Sequence, residues 1–165
     1  MKNKTDYRDQ GAIGALLDEY EKANAELIAL VQTIKDSQLS IVVDPNTQDH
    51  DCRSIQSILT HVISAGYNYV IAIRNHQGEN LTYREKTLLN SIKDYTENLQ
   101  KMFDYNVALF EDYPKIKLES YKAEDKILTK WNQQYDVEQL MEHAIVHILR
   151  HRRQIERFLI KLYNN

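Results

Sequence analysis

Apolar residues recur along this chain in steps of three and four, in four long stretches separated by polar connections. The first stretch, from about Gly11 to about Asp36, sets Ile13, Leu16, Leu17, Tyr20, Ala23, Leu27, Leu30, Val31 and Ile34 on one stripe. Asp18, Glu21, Lys22 and Gln32 fall opposite, so an amphipathic helix is expected. The second, about Ser54 to Gln77, carries Ile55, Ile58, Leu59, Val62, Gly66, Tyr69 and Ile73 on its main face. Ser54 is its N-cap candidate, and Gly78 suits the left-handed position that closes a helix. The third is expected from about Tyr83 to Asp112, with a stripe running from Leu88 and Leu89 through Ile92, Tyr95, Leu99, Met102 and Phe103 to Leu109 and Phe110. Tyr113-Pro114 stops it, because proline disfavours a helical residue before itself. The fourth, about Val137 to Tyr163, opens at Asp136, with Gln139 placed to complete a capping box.

Between these stretches lie two long connections. Residues 37–53 hold Ile41-Val42-Val43, which suits a short extended piece, and the turn chemistry of Asp44-Pro45-Asn46. Connections of that length in a bundle are often functional. Residues 114–135 read as irregular, with a short strand possible at Ile127-Leu128-Thr129. Only 4 glycines and 2 prolines punctuate 165 residues, which favours long helices. Four amphipathic helices without a convincing sheet predict one all-α domain over residues 1–165, a four-helix bundle with long crossover connections.

A net charge of −3 and no basic run with interleaved aromatics argue against a nucleic-acid partner. Arg150, Arg152 and Arg153 are expected to point in different directions around the last helix. No apolar run reaches the length of a membrane span, and the first ten residues lack the apolar centre of a signal peptide. A single cysteine, Cys52, requires no oxidising compartment, so the cytoplasm is the default expectation.

The candidate chemistry lies in six histidines, three of them in the run His143-Ala144-Ile145-Val146-His147-Ile148-Leu149-Arg150-His151. Four helical steps leave an offset of only about 40°, so His147 and His151 share one face and can grip one ion without bending the backbone. They lie on a meridian with Leu140 and Phe158, and a polar ring on a core line requires a partner. That partner can be a metal, or merely another side chain. Position 148 is Ile, so the general-base Glu of the His-Glu-x-x-His metalloproteases is missing. His61 lies roughly 120° from the centre of its helix's apolar stripe and reads, by periodicity, as a flank residue.

The segments Ser54 to His61 and His143 to Ile155 resemble the DinB/YfiT-like family of damage-inducible metal proteins. The resemblance implies a bundle whose helices do not simply alternate up and down. It also implies a divalent ion, often zinc or nickel, held by His61, His147 and His151. The family's usual His-Arg-Gly-Gln reads His151-Arg152-Arg153-Gln154 here, so Arg153 replaces a glycine. Three histidines leave an open coordination position, the pattern of catalytic rather than structural zinc. The family implies a thiol-dependent S-transferase or a hydrolase acting on a small-molecule substrate, with a low-molecular-weight thiol activated as metal-bound thiolate. A metal- or ligand-binding stress protein without turnover is the alternative, and an interaction protein with purely core histidines is a third. His143, one turn further back, is an orienting partner or part of a water network rather than a ligand. Cys52 can approach the site from its loop but reads more readily as packed and inert. Glu142 and Asp136 are expected to be solvated or capping. A second apolar patch on the last helix, Ile145, Val146, Leu149 and Ile160, requires either two intramolecular neighbours or a homodimer interface.

Overall fold

The computed structural model describes residues 7–164. Among them are four long helices: α1 (Ala12–Val31), α2 (Ile55–His76), α3 (Ile92–Asp112) and α4 (Val137–Tyr163). A two-stranded antiparallel hairpin, β1 (Ile127–Leu128) and β2 (Gln134–Tyr135), precedes α4. The expected strand at 127–129 is thus present as half of a hairpin. Asn132, at φ 63°, takes the left-handed conformation in its turn.

Two helix boundaries differ from the sequence expectation. Helix α1 ends at Val31 rather than near Asp36, where the chain turns and forms a short 3-10 segment at Asp36–Gln38. Helix α3 begins at Ile92, nine residues after the expected Tyr83. Ser91 supplies the true N-cap, its hydroxyl accepting from the Asp94 backbone N–H at 3.1 Å. Residues 81–89 instead run extended along α2, and α2 side chains satisfy their backbone. Asn75 brackets Leu81, accepting from its N–H at 2.7 Å and donating to its carbonyl at 3.0 Å. Asn68 does the same for Arg84, at 2.7 and 3.0 Å, and Gln56 donates to the Leu89 carbonyl at 2.8 Å. These amides bond the backbone of Leu81, Arg84 and Leu89 in place of helical hydrogen bonds. Leu88, assigned to the apolar stripe by period alone, is 61% exposed.

The other ends follow the expected chemistry. Ser54 accepts from Ser57 N–H at 3.1 Å, and Asp136 accepts from Gln139 N–H at 2.8 Å while the Gln139 side chain accepts from Asp136 N–H. Gly78, at φ 99°, closes α2 with two backbone bonds, Gly78 N–H to the Asn75 carbonyl and Glu79 N–H to the Arg74 carbonyl.

Helix α1 packs on α3 and α4, and α2 packs on the same two. The order around the bundle is therefore α1, α3, α2, α4. Consequently α1 to α2 and α3 to α4 are diagonal connections, made by the two long segments. The core runs through Leu17, Tyr20 and Leu27 of α1, Ile58, Leu59, Val62 and Ile73 of α2, Tyr95, Leu99 and Phe110 of α3, and Leu140, Ile148 and Ile155 of α4, all essentially buried. Of the second patch of α4, Ile145 is half-buried against the core, whereas Val146 and Ile160 are both 60% exposed and Leu149 is also exposed, so most of the patch is not buried between two neighbours in the chain.

Gly66 sets how closely α2 approaches α3 and α1. A Cβ there would lie 2.1 Å from Met102 Sδ and 3.2 Å from the Tyr20 hydroxyl. Gly66→Ala gains about 1 kcal/mol of helix propensity but overpacks a buried seam at about 1–3 kcal/mol. A net loss of up to about 2 kcal/mol is expected, read from the urea midpoint.

Candidate metal centre

The seam between α2 and α4 brings three imidazoles together. One ligating atom from each of His61, His147 and His151 lies within 4.8 Å of the others. His61 comes from the second turn of α2, and His147 and His151 from successive turns of α4. The ring centroids of the α4 pair are 4.4 Å apart, and His61 is 4.8 Å from His147 and 5.1 Å from His151. His61 is therefore not a solvent-facing flank residue. His151 is 2% exposed, whereas the His61 side chain retains 26% exposure.

Nitrogen placement suits a shared ion. His61 Nε2 faces His147 Nε2 at 2.9 Å. Zinc–nitrogen bonds of roughly 2.0–2.1 Å in a tetrahedron separate two donors by about 3.3 Å, so this pair requires only a few tenths of an ångström of opening, with the third ligating atom within 4.8 Å. The same contact serves as an imidazole–imidazole hydrogen bond, the simpler arrangement left open by the sequence. A two-ring bond leaves His151 outside it, bonded only to Gln154, whereas a metal engages all three rings.

Two of the rings are already oriented through their other nitrogen. His61 Nδ1 lies 3.2 Å from Asp51 Oδ2, and Asp51 is held in turn by Lys86 Nζ at 2.5 and 2.7 Å. His151 Nδ1 lies 3.1 Å from Gln154 Oε1. An Nδ1–H donated to each oxygen leaves both Nε2 atoms as bare donors toward the common point, the usual way a protein fixes a metal-binding tautomer. The 37–53 connection earns its length here: its 3-10 segment His50–Cys52 delivers Asp51 to the site.

Burial keeps the rings neutral. It pushes His147 down to about 2, with further lowering by His151 and His61. Burial likewise takes His151 down to about 4, against a hydrogen bond to Gln154 that opposes the shift. His61 is lowered by burial too, partly offset by the carboxylate of Asp51. Neutral imidazole is the form that binds a metal.

The other candidates fall beside this cluster. His143 lies outside the cluster and makes no hydrogen bond to His147, its ring lying stacked beside that of His147 at 6.3 Å. It stacks on Trp131 at 5.6 Å, with Tyr69 edge-on at 5.5 Å and Tyr135 at 5.5 Å. Cys52 is buried, and burial raises its thiol, which donates to Asp49 at 3.3 Å and lies 3.6 Å from Gln154 Oε1. It is packed rather than aimed at the imidazoles. Asp136 is a cap and Glu142 is exposed. His50 and His76 lie elsewhere, neither in the cluster.

A cleft of about 520 Å³ opens on the centre, with His61 and His147 in its wall. Tyr69, Trp131 and His143 give it an aromatic side, while Asn68, Gln133, Lys86 and Lys130 supply polar groups. Asp51 and Lys86, which orient or support His61, had no signal in the sequence beyond the length of the 37–53 connection, whereas Gln154, which bonds His151, ends the run His151-Arg152-Arg153-Gln154 singled out above.

No protein-family model matches the chain, and no curated protein matches it. The fold and the cluster together define a helical bundle with three histidines that could hold a metal ion. Among the described residues no helix is long and apolar enough to cross a membrane.

Two outcomes test this geometry. Asp51→Asn leaves His61 free to change tautomer and is expected to weaken zinc affinity about 10–100-fold in competition with a chromophoric chelator. Chelator-treated protein should also lose stability as pH falls. The unfolded chain protonates these histidines near 6.5, the folded chain only toward 4 and below, so their contribution is present above about 6.5 and is lost on acidification. Urea midpoints across pH 5–8 should fall on the acid side, and the slope should be shallower in His147→Gln.

Proposed function

We propose that this chain is a divalent-metal protein of the DinB/YfiT-like kind, holding zinc or nickel through His61, His147 and His151. We further propose that it acts as a metal-dependent transferase or hydrolase on a small molecule in the adjoining cleft. The observation carrying this reading is the convergence of three neutral imidazoles from two helices within 4.8 Å of one another, beside a cleft of about 520 Å³. A divalent ion at such a site supplies Lewis acidity and lowers the pKa of a coordinated water or thiol.

The chain's own residues have distinct tasks. Asp51 and Gln154 hold the ligand rings in register. Tyr69 and Trp131 form an apolar wall against which a substrate's carbon skeleton packs and from which water is displaced. Lys130 lies 3.9 Å from the Tyr83 ring centroid at the cleft's rim, where an ammonium attracts an anionic substituent. No carboxylate lines the cleft, so His143 is the side chain there best able to accept a proton. That balance favours group transfer to a low-molecular-weight thiol, which requires less general-base help than attack by water.

The alternative reading is a metal- or ligand-binding stress protein without turnover, favoured by the same lack of a carboxylate base. For both readings we propose a cytoplasmic location, which a single cysteine allows, and small molecules rather than nucleic acid or membrane as partners. The exposed Val146, Leu149 and Ile160 are the surface through which we expect two copies to associate, read by sedimentation.

Metal analysis of untagged protein should find a single divalent ion per chain, lost in His147→Ala. Protein that neither carries nor takes up a divalent ion would refute both metal readings. A panel of thiol-plus-electrophile and ester substrates should then show turnover that His147→Ala abolishes while circular dichroism stays native. Metal binding with no turnover on any substrate selects the non-catalytic alternative.

A further inference from the structure

A second cleft, of about 720 Å³, lies between α4 and the 37–53 connection and shares no lining residue with the first. One wall is Arg150, Arg153, Gln154 and Arg157; the other is Thr47, Asp49 and Cys52. The three arginines are spaced three and four residues apart, which puts them on one helix face over about 10 Å of axis. The expectation that neighbouring arginines diverge is correct only for Arg152, which turns away to pair with Glu26 of α1 and Glu156.

Three features set this wall apart from an ordinary solvated face. Among the described residues, no carboxylate forms an ion pair with Arg150, Arg153 or Arg157, although the chain as a whole carries net charge −3. The one carboxylate in the cleft, Asp49, is engaged elsewhere: Oδ1 accepts from Asp51 N–H at 3.0 Å and Oδ2 from the Cys52 thiol at 3.3 Å. Like charges one turn apart repel, so the cluster costs stability unless an anion joins it.

We propose that this cleft is a binding site for a small polyanion, a molecule bearing a phosphate group or two carboxylates. Guanidinium groups present planar forks that match oxoanions bidentately, and three of them along about 10 Å can take anionic groups at two separate points. The opposite wall confines the ligand to a cleft rather than a flat basic face. Gln154 is shared ground: it lines this cleft and holds His151. The bound molecule thus sits behind the imidazole cluster rather than on it, and the site does not depend on a metal being held there.

The test uses protein as purified, titrated at low ionic strength with inorganic phosphate and, separately, glutarate, by calorimetry. Saturable binding of at least one probe is expected. The arm that saturates tells phosphate chemistry from dicarboxylate chemistry. Arg153→Gln/Arg157→Gln, both exposed positions, should weaken binding roughly tenfold or more without changing metal content. Raised salt should weaken it as well. His147→Ala should leave it intact. The proposal is overturned if neither probe saturates, if the double arginine variant binds as well as the parent, or if His147→Ala alone abolishes binding, which would put the anion at the histidines.

Discussion

Helix α2 must be covered on more than one side, and the rest of the molecule is arranged to cover it. Ile58, Leu59, Val62, Val70 and Ile73 are wholly or almost wholly buried, and even Thr60, Ser64 and Arg74 are withdrawn from water. A helix this apolar cannot sit at the edge of a pair. It takes α3 on one flank and α4 on the other, and the extended segment 81–89 lies against it, bonded through Gln56, Asn68 and Asn75. Arg74 ties off the far end, donating to Glu79 at 3.0 Å and Asp112 at 2.6 Å. With α2 so fixed, its α4 flank has one position, and His61 meets His147 there.

The centre inherits its order from that packing. Three imidazoles could not stay convergent in open water, because nothing would hold their rings. In the seam, burial lowers their proton affinity, while Asp51 and Gln154 dictate which nitrogen faces inward. One support comes from the loop before α2 and the other from α4 itself. The site therefore depends on the diagonal crossover as much as on the helices.

Charge follows a similar logic of placement. A net charge of −3 suggests a bland surface, yet three arginines gather beside a loop whose own acids face other partners. Asp51 turns to His61 and Lys86, and Asp49 to Cys52 and the Asp51 amide. Local concentration of charge is set by which groups are already bonded, and a sum over the chain does not report it.

The sequence by itself determined the helices α2 and α4 nearly to the residue, because their caps are local: Ser54, Gly78, Asp136 and Gln139 act on backbone within a few positions. It also put His147 and His151 on one face, since a four-residue step is a property of any helix. It failed at α3, where apolar period favoured Leu88 but α2 amides offered residues 81–89 a better use of their backbone. His61 was ambiguous for a related reason. The centre of an apolar stripe points to the bundle axis, whereas a seam residue sits at the stripe's margin, and only the position of α4 tells a seam from a surface. Gln154 holds His151 from one turn along the same helix, but Asp51 and the loop wall of the arginine cleft lay beyond any local pattern, because each is defined by a contact between separate segments of the chain. Tertiary structure decided those, by choosing which helix flanks close on one another.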